Sequence, residues 1–296
     1  MSVALDFARD GKDWPNRAAS RFANAAGLAW HVQIMGRGPV VLLVHGTGAS
    51  THSYGDLAEI LSQAFTVVVP DLPGHGFTEL PPSSRLSLPG MAADLSALLK
   101  ALKLEPELAV GHSAGAAILT EMCLDGMIAP DAIVSLNGAL LPFGSVVGQF
   151  FSPLAKLLAL NPLVPQFLTW RATNPAAVER VIRNTGSTIG ADGMARYARL
   201  FRSENHVAAA LGMMAKWDLH ALERRLPKLK TRLLLVVGGG DRAISPEDAF
   251  KVKARVPHAE VVFLRGLGHL AHEERPEEIA EIVVKAARPA LVAAEA

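Results

Sequence analysis

At 296 residues, half of them hydrophobic and 19% charged, the chain has ample material for a large buried core and does not belong to the disordered class. Its formal net charge of +1, with no basic tract or stripe, argues against nucleic acid as a partner. The single cysteine, Cys123, cannot close an internal disulfide, and without C-x-x-C, H-E-x-x-H or calcium-loop spacings no metal site or cofactor is expected.

Residues 1–20 are polar and read as an irregular arm. Asp6, Arg9, Asp10, Lys12 and Asp13 leave no room for the apolar run of a secretory signal, so a cytoplasmic protein is expected. The alternating stretch 22–35, interrupted by Gly27, predicts a hairpin of two early strands. Strands and helices then alternate: strand 40–44, helix 55–63, strand 66–70, helix 88–102, strand 108–110, helix 114–127, strand 132–136. From Gly138 to about Leu219 the alternation stops, and helical periodicity is broken by Pro142, Pro153, Pro162, Pro165 and Pro175. It resumes with a strand at 231–237, a helix at 246–255, a strand at 259–264 and a helix at 276–288. Such a pattern predicts a mostly parallel eight-stranded sheet with helices on both faces and an inserted helical cap. The expected division is arm 1–20, core 21–137 and 220–296, and cap 138–219.

The chemistry is written at strand ends. Gly111-His112-Ser113-Ala114-Gly115 lies between a short apolar strand and a helix, the setting of a G-x-S-x-G nucleophile elbow. A serine on so sharp a turn is strained, and bulky neighbours would clash. Its helix N-terminus favours a developing oxyanion. The base and its orienting acid should follow in the order acid, then histidine. Strand 231–237 empties into Gly238-Gly239-Gly240-Asp241, and strand 259–264 into Gly266-Leu267-Gly268-His269, which nominates Asp241 and His269. The N–H groups of Thr47, in the loop His45-Gly46-Thr47-Gly48, and of Ala114 are the candidate oxyanion donors. A dinucleotide fingerprint at Gly46-x-Gly48 lacks its third glycine, Thr51 standing there. His45 and His112 are expected to brace their own tight turns. His272 is the main rival base, read as a helix-entry residue; Asp248, the rival acid, is read as lying on a solvated helix face. Asn137 cannot take the acid's part, and Glu273, Glu274, Glu277 and Glu278 read as a helix start.

Four motifs in this order make the chain resemble the α/β-hydrolases. They are the His45-Gly46 loop, Pro70-Asp71-Leu72-Pro73-Gly74-His75-Gly76, the elbow and Gly268-His269 followed by Glu274-Arg275-Pro276. The resemblance implies serine-nucleophile hydrolysis of an ester, lactone or carbon–carbon bond. Further stretches look like the BchO-type magnesium-chelatase accessory proteins of bacteriochlorophyll synthesis. These are 45–54, the arm around Asp13-Trp14-Pro15, 137–143 and 213–219. That resemblance implies a role around magnesium insertion into protoporphyrin, with a tetrapyrrole as substrate or ligand and chelatase subunits as partners. No P-loop is present, so the chain could only assist. Two classes of function stay open: a hydrolase acting on an ester of a large apolar molecule, and a porphyrin-binding or delivery factor whose triad is idle.

From Ala132 to Trp170 the only charged residue is Lys156, and the run from Leu140 through Phe150-Phe151 is strongly apolar. The prolines leave no uninterrupted membrane span. Three readings remain: packing of cap on core, a greasy substrate pocket, or peripheral contact with a membrane.

Overall fold

Ala26 and Gly27, with φ of 52° and 72°, make the doubly left-handed turn that a two-residue hairpin requires. It joins β1 (Ser20–Ala25) to β2 (Leu28–Met35) in antiparallel register, Ala25 opposite Leu28. The computed structural model describes residues 4–142, 161 and 163–294. Six further strands follow: β3 (Val40–Val44), β4 (Thr66–Pro70), β5 (Leu108–His112), β6 (Ala132–Leu136), β7 (Arg232–Gly238) and β8 (Glu260–Leu264). They form one eight-stranded sheet in the order β1-β2-β4-β3-β5-β6-β7-β8, parallel from β4 onward.

The middle strands read as unbroken apolar runs because both sheet faces are covered. Successive side chains take opposite sides: Leu42 and Val44 join one core with α3 (Leu88–Leu102) and α4 (Ala114–Leu124), while Val41 and Leu43 join another with α2 (Gly55–Leu61) and α12 (Pro276–Ala294). All four side chains are fully buried, a contribution of about 1.5–3 kcal/mol each. α3 starts at the Ser87 cap, whose hydroxyl accepts from Gly90 N–H at 3.4 Å, and ends at Lys103 with φ of 55°. α4 stops at Leu124, three residues before its expected end, where Asp125 and Gly126 (φ 66°) turn the chain.

Within 138–219 the described residues form four α-helices and no strand: α5 (Leu163–Arg171), α6 (Pro175–Asn184), α7 (Ala191–Phe201) and α8 (Glu204–Lys216). The apolar run 143–160, including Lys156, Phe150 and Phe151, lies outside the described residues. α9 (His220–Arg225) leads back to β7, and α10 (Glu247–Arg255) and α11 (Ala271–Glu274) complete the core.

The arm is more ordered than its polarity suggests. It carries a short helix, α1 (Phe7–Asp10), and Trp14 is buried at 3% exposure with its indole N–H on Thr51 Oγ1 at 2.9 Å. Asn16 donates to Gly55 O at 2.8 Å, and Arg199 of α7 pairs with Asp13 at 2.6 Å. Trp14 packs with Phe77 and Leu200, and Leu5 and Phe7 of the same arm pack against that cluster, so a few apolar side chains among polar residues dock the segment.

Candidate active site

Parallel register lines up the carboxyl ends of β3, β5, β6, β7 and β8, with Val44 opposite Gly111, Leu136 opposite Val236 and Gly238 opposite Leu264. Every loop nominated from sequence leaves the sheet along this edge, where open α/β sheets place their chemistry.

Ser113 caps α4 with φ 51° and ψ −117°, a conformation costly for any side-chain-bearing residue. It is held by its own N–H on Leu136 O at 3.0 Å and by Ala139 N–H on its carbonyl at 3.0 Å. The flanking glycines are required sterically: a Cβ on Gly115 would enter the Val44 carbonyl, and one on Gly111 would meet the Ala116 backbone at 2.5 Å. Gly46 of the β3 loop lies against Ser113, since a Cβ there would stand 2.9 Å from Ser113 Cβ. The Thr47 and Ala114 N–H groups have no acceptor among the described residues.

Asp241 Oδ2 accepts from His269 Nδ1 at 2.7 Å, while Oδ1 accepts the N–H groups of Ala243 and Ile244 at 2.7 and 2.9 Å. This arrangement assigns the Nδ1–H tautomer and leaves Nε2 with a free lone pair. Among the described residues no hydrogen bond joins Ser113 Oγ to His269; such bonds commonly close only once substrate is in place. The two are set in contacting loops nonetheless. The ring of His112, next to Ser113, lies 4.6 Å from that of His269, and its Nε2–H donates to His269 O at 2.9 Å.

His112 therefore braces the loop of His269 and not its own turn. Asn137, at φ 46°, does more: its amide donates to Gly268 O and His269 O at 3.0 and 2.9 Å, and its Oδ1 accepts from Gly238 N–H at 2.7 Å. A neutral amide thus ties the Asp241 loop to the His269 loop. Ser187 and Glu274 complete the bracket by accepting the N–H groups of Leu270 and Gly268 at 2.7 and 3.0 Å. In the sequence Asn137 reads as a rejected acid, His112 as a local brace and Glu274 as part of a helix start, and only Ser187 carries no signal there.

The rival groups sort by partner. His45 donates from Nδ1 to Gly46 O and accepts Leu72 N–H at Nε2, so both nitrogens are occupied. His272 Nε2 lies 2.7 Å from Ser53 Oγ, which donates to Glu273. Asp248 pairs with Lys251 at 2.7 Å on α10. Glu273 stands in the first turn of α11, as a helix start does, but its side chain is only 9% exposed and accepts from the hydroxyls of Ser53 and Tyr197 at 2.5 and 2.7 Å. A second carboxylate–histidine pair, Asp71 with His31 at 2.7 Å, also anchors Thr51 N–H and Phe77 N–H. Burial opposes the Asp71 charge, but His31 and these donors hold its carboxyl down at about 2. Cys123 packs in α4, its thiol pushed up to about 11 by burial.

Burial also holds the imidazoles of His45, His52, His75 and His112 below the ordinary value of 6.5, that of His206 at about 4 and that of His272 at about 3. These six bind protons more readily unfolded than folded, so their stabilisation is complete above pH about 6.5 and is lost as pH falls toward 4. Glu273 runs the other way. Burial pushes it up to about 7, so its share declines as pH rises from about 4.5 to 7. Six groups outweigh one, and the urea midpoint is expected to be lower at pH 5 than at pH 7. Wild type should lose stability relative to Glu273→Gln as pH rises from about 4.5 to 7, and the difference should level off above that. An equal or higher midpoint at pH 5 would show that these imidazoles accept protons in the folded state without cost.

This architecture and strand-end chemistry define a class. Residues 41–282 match the alpha/beta hydrolase family, and the chain belongs to it. Within it, the chain is 35% identical over 274 residues to the "Magnesium-chelatase 30 kDa subunit" of Rhodobacter capsulatus, covering 92% of this chain and 95% of that one. It is also 30% identical to the "Pyrrolizixenacetamide deacetylase" of Xenorhabdus hominickii, over 83% of this chain and 89% of the relative. The enol-lactonase of Burkholderia xenovorans superposes with a TM-score of 0.73 at 20% identity, over 90% of this chain and 99% of that one, a likeness of fold.

A cavity of about 1380 Å³ lies between the arm and the inserted helices, lined by residues including Leu5, Arg9, Trp170, Met194, Arg199 and Arg202. None of Ser113, Asp241, His269, Thr47 and Ala114 lines it. Of the apolar stretch read as core packing, substrate pocket or membrane contact, Trp170 reaches this cavity, whereas Leu140 and Leu141 are buried in the core.

Proposed function

We propose that the protein is a serine hydrolase acting as an accessory factor in magnesium-protoporphyrin and bacteriochlorophyll synthesis, on a large apolar ester. The observation that carries this reading is the 2.7 Å Asp241–His269 pair set beside the strained Ser113 elbow. In this mechanism His269 Nε2 takes the Ser113 proton as Oγ attacks the acyl carbon. Asp241 holds the tautomer and offsets the imidazolium charge, and the N–H groups of Thr47 and Ala114 receive the oxyanion. The proton passes from His269 to the leaving alcohol. Water, deprotonated by the same imidazole, then releases the acyl group and restores Ser113.

Residues 138–219 serve as the cap over a core formed by 21–137 and 220–296, with the arm 1–20 clasped against both. A tetrapyrrole ester is the substrate class, chelatase subunits are the protein partners, and the cytoplasm, with peripheral membrane contact through the cap, is the setting. The reading needs no cofactor or metal. Among the described residues no helix is long and apolar enough to cross a membrane. The deacetylase relative supports acyl chemistry more generally, including an esterase role unrelated to pigments.

A second reading is favoured by the cavity that excludes the triad: a porphyrin-binding or delivery factor with idle catalytic residues. Replacing Ser113 by Ala in the native host separates the two. Under the hydrolase reading a pigment intermediate accumulates as it does on deletion of the whole protein; under the binding reading the variant restores normal pigment.

A further inference from the structure

We infer that the outer face of α5 docks onto an anionic lipid bilayer. This deepens the membrane contact in the proposed function and does not depend on the triad. α5 is a helix turned inside out. Pro165 and Thr169 are its buried residues, whereas Leu163, Phe167 and Trp170 are 65%, 55% and 66% exposed. Their i, i+4, i+7 spacing places them on one face, and the Phe167 and Trp170 rings lie 5.9 Å apart. Water is a poor partner for such a face.

Two features select lipid over protein as the occupant. The first is charge. Arg171 ends α5, and Arg180 is exposed on α6; neither makes an ion pair among the described residues. The only charge in the sequence from 132 up to Trp170 is the cation Lys156. Exposed aromatic and aliphatic side chains flanked by arginines are the pattern of an interfacial helix attracted to anionic headgroups. The second is size. The three side chains expose on the order of 400 Å², about half of what each partner contributes to a standard protein interface. A bilayer imposes no such threshold, since each inserted side chain adds its own increment. The helix, nine residues long, can lie in the interface but cannot cross it.

The test uses the full chain with phosphatidylcholine vesicles prepared with and without phosphatidylglycerol, read by co-sedimentation and by tryptophan emission. Trp14, Trp30 and Trp217 are buried, so a blue shift on binding reports Trp170. Wild type is expected to sediment with the anionic vesicles, to shift its emission, and to be released by salt. Phe167→Ser with Leu163→Ser should lower the bound fraction about tenfold or more while leaving circular dichroism unchanged. Arg171→Gln with Arg180→Gln should remove the preference for anionic vesicles. Ser113→Ala should bind as wild type does, so loss of the catalytic reading would leave this result standing. Failure of wild type to bind either vesicle overturns the inference. So does a concentration-dependent dimer abolished by Phe167→Ser, which would make a second copy of the chain the occupant of this face.

Discussion

A fluorophosphonate probe is expected to label the folded protein covalently at Ser113, because an activated elbow serine reacts without its native substrate. Oγ attacks phosphorus, fluoride leaves, and the proton moves to His269 Nε2. The N–H groups of Thr47 and Ala114, which have no acceptor among the described residues, then receive the phosphoryl oxygen. Labelling should vanish in Ser113→Ala and slow by about 10²–10⁴-fold in His269→Ala. The chain contains its own control. Ser20 Oγ lies 2.9 Å from His31 Nε2, and His31 Nδ1 lies 2.7 Å from Asp71, a second serine in line with a histidine and a carboxylate. Ser20 nevertheless has ordinary extended backbone at the start of β1, and its own N–H is bonded to Arg17 O. It is expected to stay unlabelled by peptide mass spectrometry. Wild-type protein that is folded yet unmodified would defeat the catalytic reading and leave the binding one.

The fold was legible because its signals are local. Apolar runs of four to seven residues marked the strands now seen at 40–44, 66–70 and 232–238, and Gly111 and Gly115 marked a turn that tolerates no Cβ. Strand ends placed Ser113, Asp241 and His269 on one edge, since a parallel sheet has only one carboxyl side. What escaped was long-range. Asn137 reaches partners 101 to 132 residues away, and nothing near it in sequence announces that its two-sided amide will link two loops. His112 looks like a turn brace until β8 brings His269 O within 2.9 Å. Glu273 sits in an acidic run typical of a helix start, and only the approach of Ser53 and Tyr197 removes it from water. The apolar stretch divides in a way composition could not show. Leu140 and Leu141 pack into the core, while Leu163, Phe167 and Trp170 face outward.

Replacing Asp241 by Asn is expected to lower turnover of a model ester by about 10³–10⁴-fold with little change in KM or fold. In the present geometry Oδ1 is fully engaged by the Ala243 and Ile244 N–H groups, so an asparagine keeps its oxygen there and turns its NH₂ toward His269. An amide N–H facing Nδ1 favours the tautomer with its proton on Nε2, the nitrogen that has to accept the Ser113 proton. The loop stays in place, because its bonds to Asn137 and Leu267 carbonyl do not involve the altered atom. Asp248→Asn removes only the partner of the exposed Lys251 on a helix, a solvent-screened pair away from His269, and turnover should be unchanged. The decisive comparison is kcat of the two variants on the same ester. If Asp248→Asn were the crippled one, the acid would lie on α10, and the Asp241–His269 bond would be a structural contact without a part in proton transfer.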